Sequence, residues 1–303
     1  MYPFVSIIVP IKNEERRLPQ LLSALEALDY PRDRFEIIVA DNGSTDRTVA
    51  IAREAQGVEV CIEPTGGSYA ARNAGLRVAR GEVIAFTDSD CTPDAQWLRA
   101  GVARIASGAD LVAGAIHLEL SRPSIDHQFD RKFFLQQRRW VAEKKAGATA
   151  NLFARRTVIE RVGGFSEQLT SGGDFAFCKA ASEAGYSLVF EPSAVVQHPT
   201  RGFKALLRKA RRIGGGKLER LRHTSTTSGD VIPKKRQLTE LLAQESLRVQ
   251  VGFLFIYGAV CLAGAYGALT YLARSFDWSS RIQPAEYPKE VIARLGQSAT
   301  LPQ

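Results

Sequence analysis

Three short apolar runs, residues 4–11 (Phe-Val-Ser-Ile-Ile-Val-Pro-Ile), 35–40 (Phe-Glu-Ile-Ile-Val-Ala) and 81–87 (Gly-Glu-Val-Ile-Ala-Phe-Thr), constrain the fold more than anything else in the chain. Runs of this kind belong to strands buried on both faces, which occur where helices cover both sides of a sheet. Between the first two, Leu18, Leu21, Leu22, Leu25 and Leu28 recur at helical spacing, with Asn13 placed to cap the helix and Pro31 beyond its end. The polar turn 41–46 precedes a second helix, residues 58–62 form a further strand, and Gly66 and Gly67 precede a helix containing Arg72 and Asn73. Strand and helix alternate throughout, so the sequence predicts an α/β fold with a mainly parallel twisted sheet and helices on both faces. Ligands in such sheets sit beyond the carboxyl ends of the strands, where Asp41, Asp88 and Asp90 fall. The turn after the first strand is Pro10-Ile-Lys-Asn-Glu14, not Gly-x-Gly-x-x-Gly, which argues against a nicotinamide dinucleotide site.

The run 81–87 ends in Asp88-Ser89-Asp90. Carboxylates at i and i+2 share one face of a strand, and where the chain turns they can be aimed at one ion. Mg²⁺ or Mn²⁺ is usually held by one or two carboxylates plus substrate phosphates. Further on, a strand is expected over 110–120, helical spacing over 125–145 with Phe129, Phe133, Phe134 and Trp140, a helix over 155–162, and two last strands at 187–191 and 194–198. Ser171-Gly172-Gly173-Asp174 stands where another helix begins. Its glycines let backbone approach a ligand, and Asp174 admits two readings, a helix cap or a working carboxylate.

The net charge of +8 is concentrated. Residues 201–248 hold thirteen Lys or Arg against four Asp or Glu, the whole of the excess. Within them Arg208, Lys209, Arg211 and Arg212 precede Gly214-Gly215-Gly216, either a loop that closes on phosphates or a solvated surface loop. Residues 249–273 follow without a charge; as a helix they would be about 37 Å long, enough to cross a hydrocarbon core of roughly 30 Å. The basic excess precedes the span, which predicts a single pass with the large domain on the cytoplasmic face. Anionic headgroups, not nucleic acid, are then the partner expected for the basic segment. The expected division is a catalytic domain over 1–200, a basic juxtamembrane segment over 201–248, a transmembrane helix over 249–273 and a short tail over 274–303 without an assigned role. The four cysteines have neither metal-like nor disulfide-like spacing, and no basic leader precedes the first apolar run, so no cleavable signal peptide is expected.

Six motifs stand in one order over about 200 residues: Val-Ser-Ile-Ile-Val-Pro-Ile-Lys-Asn-Glu14, Asp41-Asn42-Gly-Ser-Thr-Asp46, Ala71-Arg72-Asn73-Ala-Gly, Asp88-Ser-Asp90, Gly163-Gly-Phe-Ser-Glu and Gly172-Gly-Asp174. Together they resemble the family 2 glycosyltransferases of GT-A fold. The resemblance implies transfer of a sugar from a nucleotide-diphosphate donor to an acceptor hydroxyl with inversion, with Mg²⁺ or Mn²⁺ as cofactor. With the apolar span and the basic collar before it, a lipid-linked or glycan acceptor in cell-envelope polysaccharide or glycolipid synthesis is the expected setting. By resemblance Asp41 contacts the base, Pro10 and Glu14 lie near the base or ribose, Arg72 supports the phosphate side, Asp88 faces ribose and metal, Asp90 ligates the metal and Asp174 is the general base. Two departures stand out: Asn42 replaces the second acid of the usual Asp-Asp pair, and Gly173 replaces the Glu that usually precedes the base. Rival readings are an inactive nucleotide-sugar-binding scaffold and a processive polysaccharide synthase that needs a partner for its channel.

Overall fold

In the computed structural model, which describes residues 2–64, 67–223 and 247–275, the first strand forms the spine. Strand β1 (Val5–Ile11) pairs in parallel with β2 (Phe35–Asp41) on one side and β4 (Val83–Thr87) on the other, in register from Val5 opposite both Phe35 and Val83. Every residue of these three strands is buried. Strand β3 (Val58–Ile62) extends that half in parallel. Helices α1 (Leu18–Glu26), α2 (Thr48–Glu54) and α3 (Gly67–Val78) make the crossovers.

The second half adds antiparallel pairs to the mainly parallel sheet. The full order is β3-β2-β1-β4-β7-β6-β8-β5. Strand β7 (Asn151–Arg155) runs antiparallel between β4 and β6 (Leu111–Glu119), and the two-residue β5 (Thr92–Pro93) pairs antiparallel with β8 (Leu188–Pro199). The two expected last strands are one, bent where its pairing with β6 slips at Gly114/Ala115. Asn151 explains how β7 is held: it accepts from the Trp97 indole at 2.8 Å and donates to the Ala115 and Ala194 carbonyls at 2.8 and 2.9 Å. It is fully buried, and its side chain therefore bonds three elements across the β6–β8 irregularity without leaving an orphaned polar atom.

Trp97 opens α4 (Trp97–Ala106). The aromatic stretch with helical spacing forms two helices, α5 (Ile125–Phe133) and α6 (Gln137–Lys144), broken at Leu135 with φ 52°. Helices α7 (Arg156–Val162) and α8 (Gly173–Glu183) complete the domain around the sheet. Asn13 does not cap α1, whose N-cap is Arg17. Its side chain instead accepts the Thr45 N–H at 2.8 Å and ties the β1 loop to the β2 loop.

Helix α9 (Phe203–His223) runs straight through Gly214–Gly216, so neither loop reading of the glycines holds. Their place is explained by α10 (Leu247–Ser275): a Cβ on Gly214 would stand 1.9 Å from the Gly264 carbonyl oxygen. Backbone meets backbone there, and packing outweighs the poor helix propensity of glycine. Phe129, Phe133 and Phe134 with Leu206, Ile213, Phe253, Ile256 and Val260 form a second apolar cluster joining the α5 region, α9 and α10. Residues 249–273 of α10 are long and apolar enough to cross a membrane, with mean hydropathy 1.8. Val251, Leu254, Phe255, Leu262, Tyr266 and Leu269 are exposed on it. Residues 224–246 and 276–303, including most of the expected tail, lie outside the described residues.

Candidate active site

An open cleft of about 340 Å³ lies at the carboxyl ends of β1 and β4, a size suited to a small-molecule ligand. Pro10 near the end of β1 and Glu14 after it, Arg72 of α3, Asp88 and Asp90 after β4, and Asp174 in the first turn of α8 all line it. Asp88, Asp90 and Asp174, separated by up to 86 positions in the chain, therefore share one space. Arg201, Lys209 and Arg212 bring three cations to the same cleft.

Arg72, 4% exposed, reaches Asp88 with Nη2–Oδ1 at 2.5 Å. That ion pair fixes the Asp88 carboxylate at the mouth of β4. Asp90 Oδ2 lies 3.4 Å from His198 Nε2, and His198 is 1% exposed. The His198 Nδ1–H donates to the Pro199 carbonyl at 2.7 Å, which leaves the lone pair on Nε2, where Arg201 donates at 2.7 Å. Burial pushes the His198 pKa down, against the pull of Asp90. Burial likewise pushes the Glu14 carboxyl up, with Arg17 opposing. Lys209 sits 4.9 Å over the Phe134 ring and is pushed down to about 7, first by burial and then by Arg201.

Asp174 does not cap its helix; the N-cap is Gly172, at φ 78°, with no side-chain cap bond. Its Oδ1 accepts the Phe175 N–H at 3.0 Å and the Tyr69 hydroxyl at 3.3 Å. Among the described residues no hydrogen bond reaches Oδ2. Burial raises the Asp174 pKa, with Arg72 the main opposing charge.

Asp41 is placed differently from the other expected site residues. It is 2% exposed, and its carboxylate accepts the Gly43 N–H at 3.0 Å and the Ser44 N–H at 3.1 Å, holding its own turn. Its neighbour Asn42 lines the cleft instead. The sequence reasoning missed His198 and Tyr69 as site residues, whereas Lys209 and Arg212 belong to the basic cluster it offered as either phosphate-closing or solvated. His198 had one usable signal, a lone imidazole ending an apolar strand.

Among the described residues no group of three or more His, Cys, Asp or Glu gathers as a ready metal cage. What the cleft does offer is the Asp88 and Asp90 carboxylates, with the His198 imidazole 3.4 Å from Asp90 and its Nε2 already accepting from Arg201. That donor set fits a hard cation which draws its remaining oxygens from a diphosphate.

Residues 6–163 match the pattern of Glycosyl transferase family 2. The chain belongs to that family. A relative, Glycosyltransferase AglE of Haloferax volcanii, is 39% identical over 226 residues, 72% of this chain and 74% of that one. Probable glycosyltransferase YdaM of Bacillus subtilis is 31% identical over 210 residues, 64% of this chain and 50% of that one, so this family 2 chain spans half its length. Among solved structures, mannosyltransferase PcManGT from Pyrobaculum calidifontis, in complex with GDP-Man and Mn²⁺, aligns at TM-score 0.57 and 20% identity over 98% of this chain and 80% of that one. S. aureus TarS with UDP-GlcNAc aligns at 0.53 and 18% identity over 89% and 92%. At those identities the likeness speaks for the GT-A fold.

Proposed function

We propose that this family 2 member transfers a sugar from a nucleotide-diphosphate donor to an acceptor hydroxyl with inversion, in cell-envelope polysaccharide or glycolipid synthesis. One observation carries the reading: Asp88, Asp90 and Asp174 line a single cleft together with Arg201, Lys209 and Arg212. Asp90, with Asp88, would hold Mg²⁺ or Mn²⁺, which when bound neutralises diphosphate charge as the glycosidic bond breaks. Pro10, Glu14 and Asn42 border the nucleotide end, and Arg72 keeps Asp88 in place. Asp41 supports that end by shaping the turn. The acceptor O–H gives its proton to Asp174 Oδ2, the oxygen that no hydrogen bond reaches among the described residues. A new C–O bond forms at the anomeric carbon while the bond to the diphosphate breaks and its electron pair leaves with the phosphate. Attack opposite the leaving group inverts the anomeric centre.

A thermal-shift panel of UDP-, GDP- and dTDP-sugars with Mn²⁺ tests the reading. A donor at 100 times its Kd should add about 2.7 kcal/mol of stability; if none of them moves the melting temperature, the nucleotide-sugar reading fails.

The apolar 249–273 segment supports anchoring to an anionic membrane with a lipid-linked or glycan acceptor, the catalytic domain being cytoplasmic and the chain single-pass. A second placement is favoured by one observation: Arg211 of α9 lies against α10, its guanidinium 4.8 Å from the Tyr266 ring. Charge inside a bilayer is costly, so α10 with α9 attached suits the membrane surface plane as well. A reporter fused after Gln303 separates the two, exported by a spanning helix and retained by an in-plane one.

A further inference from the structure

We infer that Tyr69 is the positioning residue of the catalytic base, an inference that rests on the reading of Asp174 as that base. Three observations converge. The Tyr69 hydroxyl donates to Asp174 Oδ1 at 3.3 Å. Its ring fills the space beside the preceding residue: a Cβ on Gly173 would stand 2.8 Å from the ring, a separation real side chains essentially never show. The ring itself is fixed, 6% exposed, stacked on Phe165 at 5.9 Å, with the Arg72 guanidinium 5.7 Å from its centroid.

Gly173 and Tyr69 are therefore one device. Glycine is required at 173 because the tyrosine ring occupies the room a side chain would take. What the ring brings in exchange is a neutral donor to the carboxylate, where an acidic neighbour would bring like charge. With Oδ1 held by Tyr69 and by the Phe175 N–H, Oδ2 remains as the oxygen that receives the acceptor's proton. A hydrogen bond donated to the ionised form also favours it, so Tyr69 works against the burial that raises the Asp174 pKa. The other charges felt by Asp174 are Arg72 and Arg212, which favour ionisation, and Asp88, which opposes it.

The test is Tyr69→Phe in the full chain, which keeps the ring and its stacking and removes only the hydroxyl. Two readouts are taken beside Asp174→Asn and the double variant. The first needs no substrate. Melting temperature from pH 4 to 8 should show Tyr69→Phe less stable than the parent at pH 8, with the gap shrinking as pH falls and Asp174 is protonated. In the Asp174→Asn background the pH dependence of that gap should vanish. The second is Mn²⁺-dependent hydrolysis of GDP-mannose and UDP-N-acetylglucosamine, in which water gives its proton to the same base. Tyr69→Phe should lower kcat by about tenfold, the order expected for one hydrogen bond to a charged group, leave the donor KM unchanged and move the acid limb of the pH profile upward. A melting gap independent of pH, the same with or without the Asp174 carboxylate, overturns the inference whatever the hydrolysis rates. Unchanged kcat and pH profile in Tyr69→Phe, with Asp174→Asn inactive, overturns it while sparing the base; an active Asp174→Asn instead removes the base itself. Gly173→Ala should also lose activity, and Tyr69→Leu in the same chain should restore its stability but not its turnover.

Discussion

Asp90 Oδ2 and His198 Nε2 stand 3.4 Å apart although 108 positions separate them in the chain. The contact exists because β8 ends beside the loop after β4, and the Pro199 carbonyl and Arg201 fix the imidazole beside the carboxylate. Asp90→Ala should therefore abolish Mn²⁺-dependent nucleotide binding. His198→Ala should weaken it by about tenfold, in the range seen when groups around a metal are removed. Calorimetry with UDP and GDP, with and without Mn²⁺, checks both. Metal dependence that survives in Asp90→Ala would refute the clamp.

Asp174→Asn keeps the shape of the side chain and removes its capacity to take a proton. Folding and donor affinity should be unchanged, while turnover falls by about 10²–10⁴-fold. Calorimetry and an initial-rate assay on one preparation separate the two effects. Near-normal turnover would take Asp174 out of the mechanism.

How much of this was legible depended on which force decided each element. Residues 5–11, 35–41 and 83–87 are uniformly buried strands, and their composition alone says so. That Asp88, Asp90 and Asp174 would face one cleft was legible because each stands at a strand or helix end. Strand β7 was missed because its direction and pairing are set by partners far away in the chain, Asn151 reaching Ala115 and Ala194. Gly214–Gly216 looked like a loop because local propensity opposes a helix; the close approach of Gly264 overrides that preference, and nothing within the triplet announces it. Asp41 illustrates a third case: its place at the end of β2 was right, but two backbone N–H groups had already taken the carboxylate.

Lys209 gives the cleft a pH response. Its ammonium is pushed down to about 7 by burial first and by Arg201 next, with Asp130 pulling the other way. Below that value Lys209 is charged, and above it Lys209 is neutral in the free site until a bound anion draws the proton back. Donor diphosphate affinity should therefore weaken as pH rises from 7 to 8.5, by up to about tenfold per pH unit from this one group. Lys209→Gln should bind more weakly throughout and show a flatter pH dependence. Calorimetric Kd values at pH 6.5, 7.5 and 8.5 decide it, and an unchanged slope in the variant would exclude Lys209 as its source.

The junction between α9 and α10 predicts the last effect. A Cβ on Gly214 would lie 1.9 Å from the Gly264 carbonyl oxygen, and one on Gly267 equally close to the Arg211 carbonyl oxygen. Backbone cannot yield as a flexible side chain does, so Gly214→Ala should force the helices apart at a cost of about 1–3 kcal/mol. Gly258 is the internal control, because it also lies in α10 but a Cβ there meets nothing within 4 Å. Gly258→Ala should leave stability unchanged or raise it by about 0.5–1 kcal/mol through helix propensity. Lys209 and Arg212 ride on the same helix as Gly214, so separation of α9 from α10 should also weaken donor binding, whereas Gly258→Ala should not. Melting curves in one detergent, with nucleotide-sugar titrations of the two variants, measure both consequences. Equal stability of the two would mean that the helices are not held together by this glycine contact.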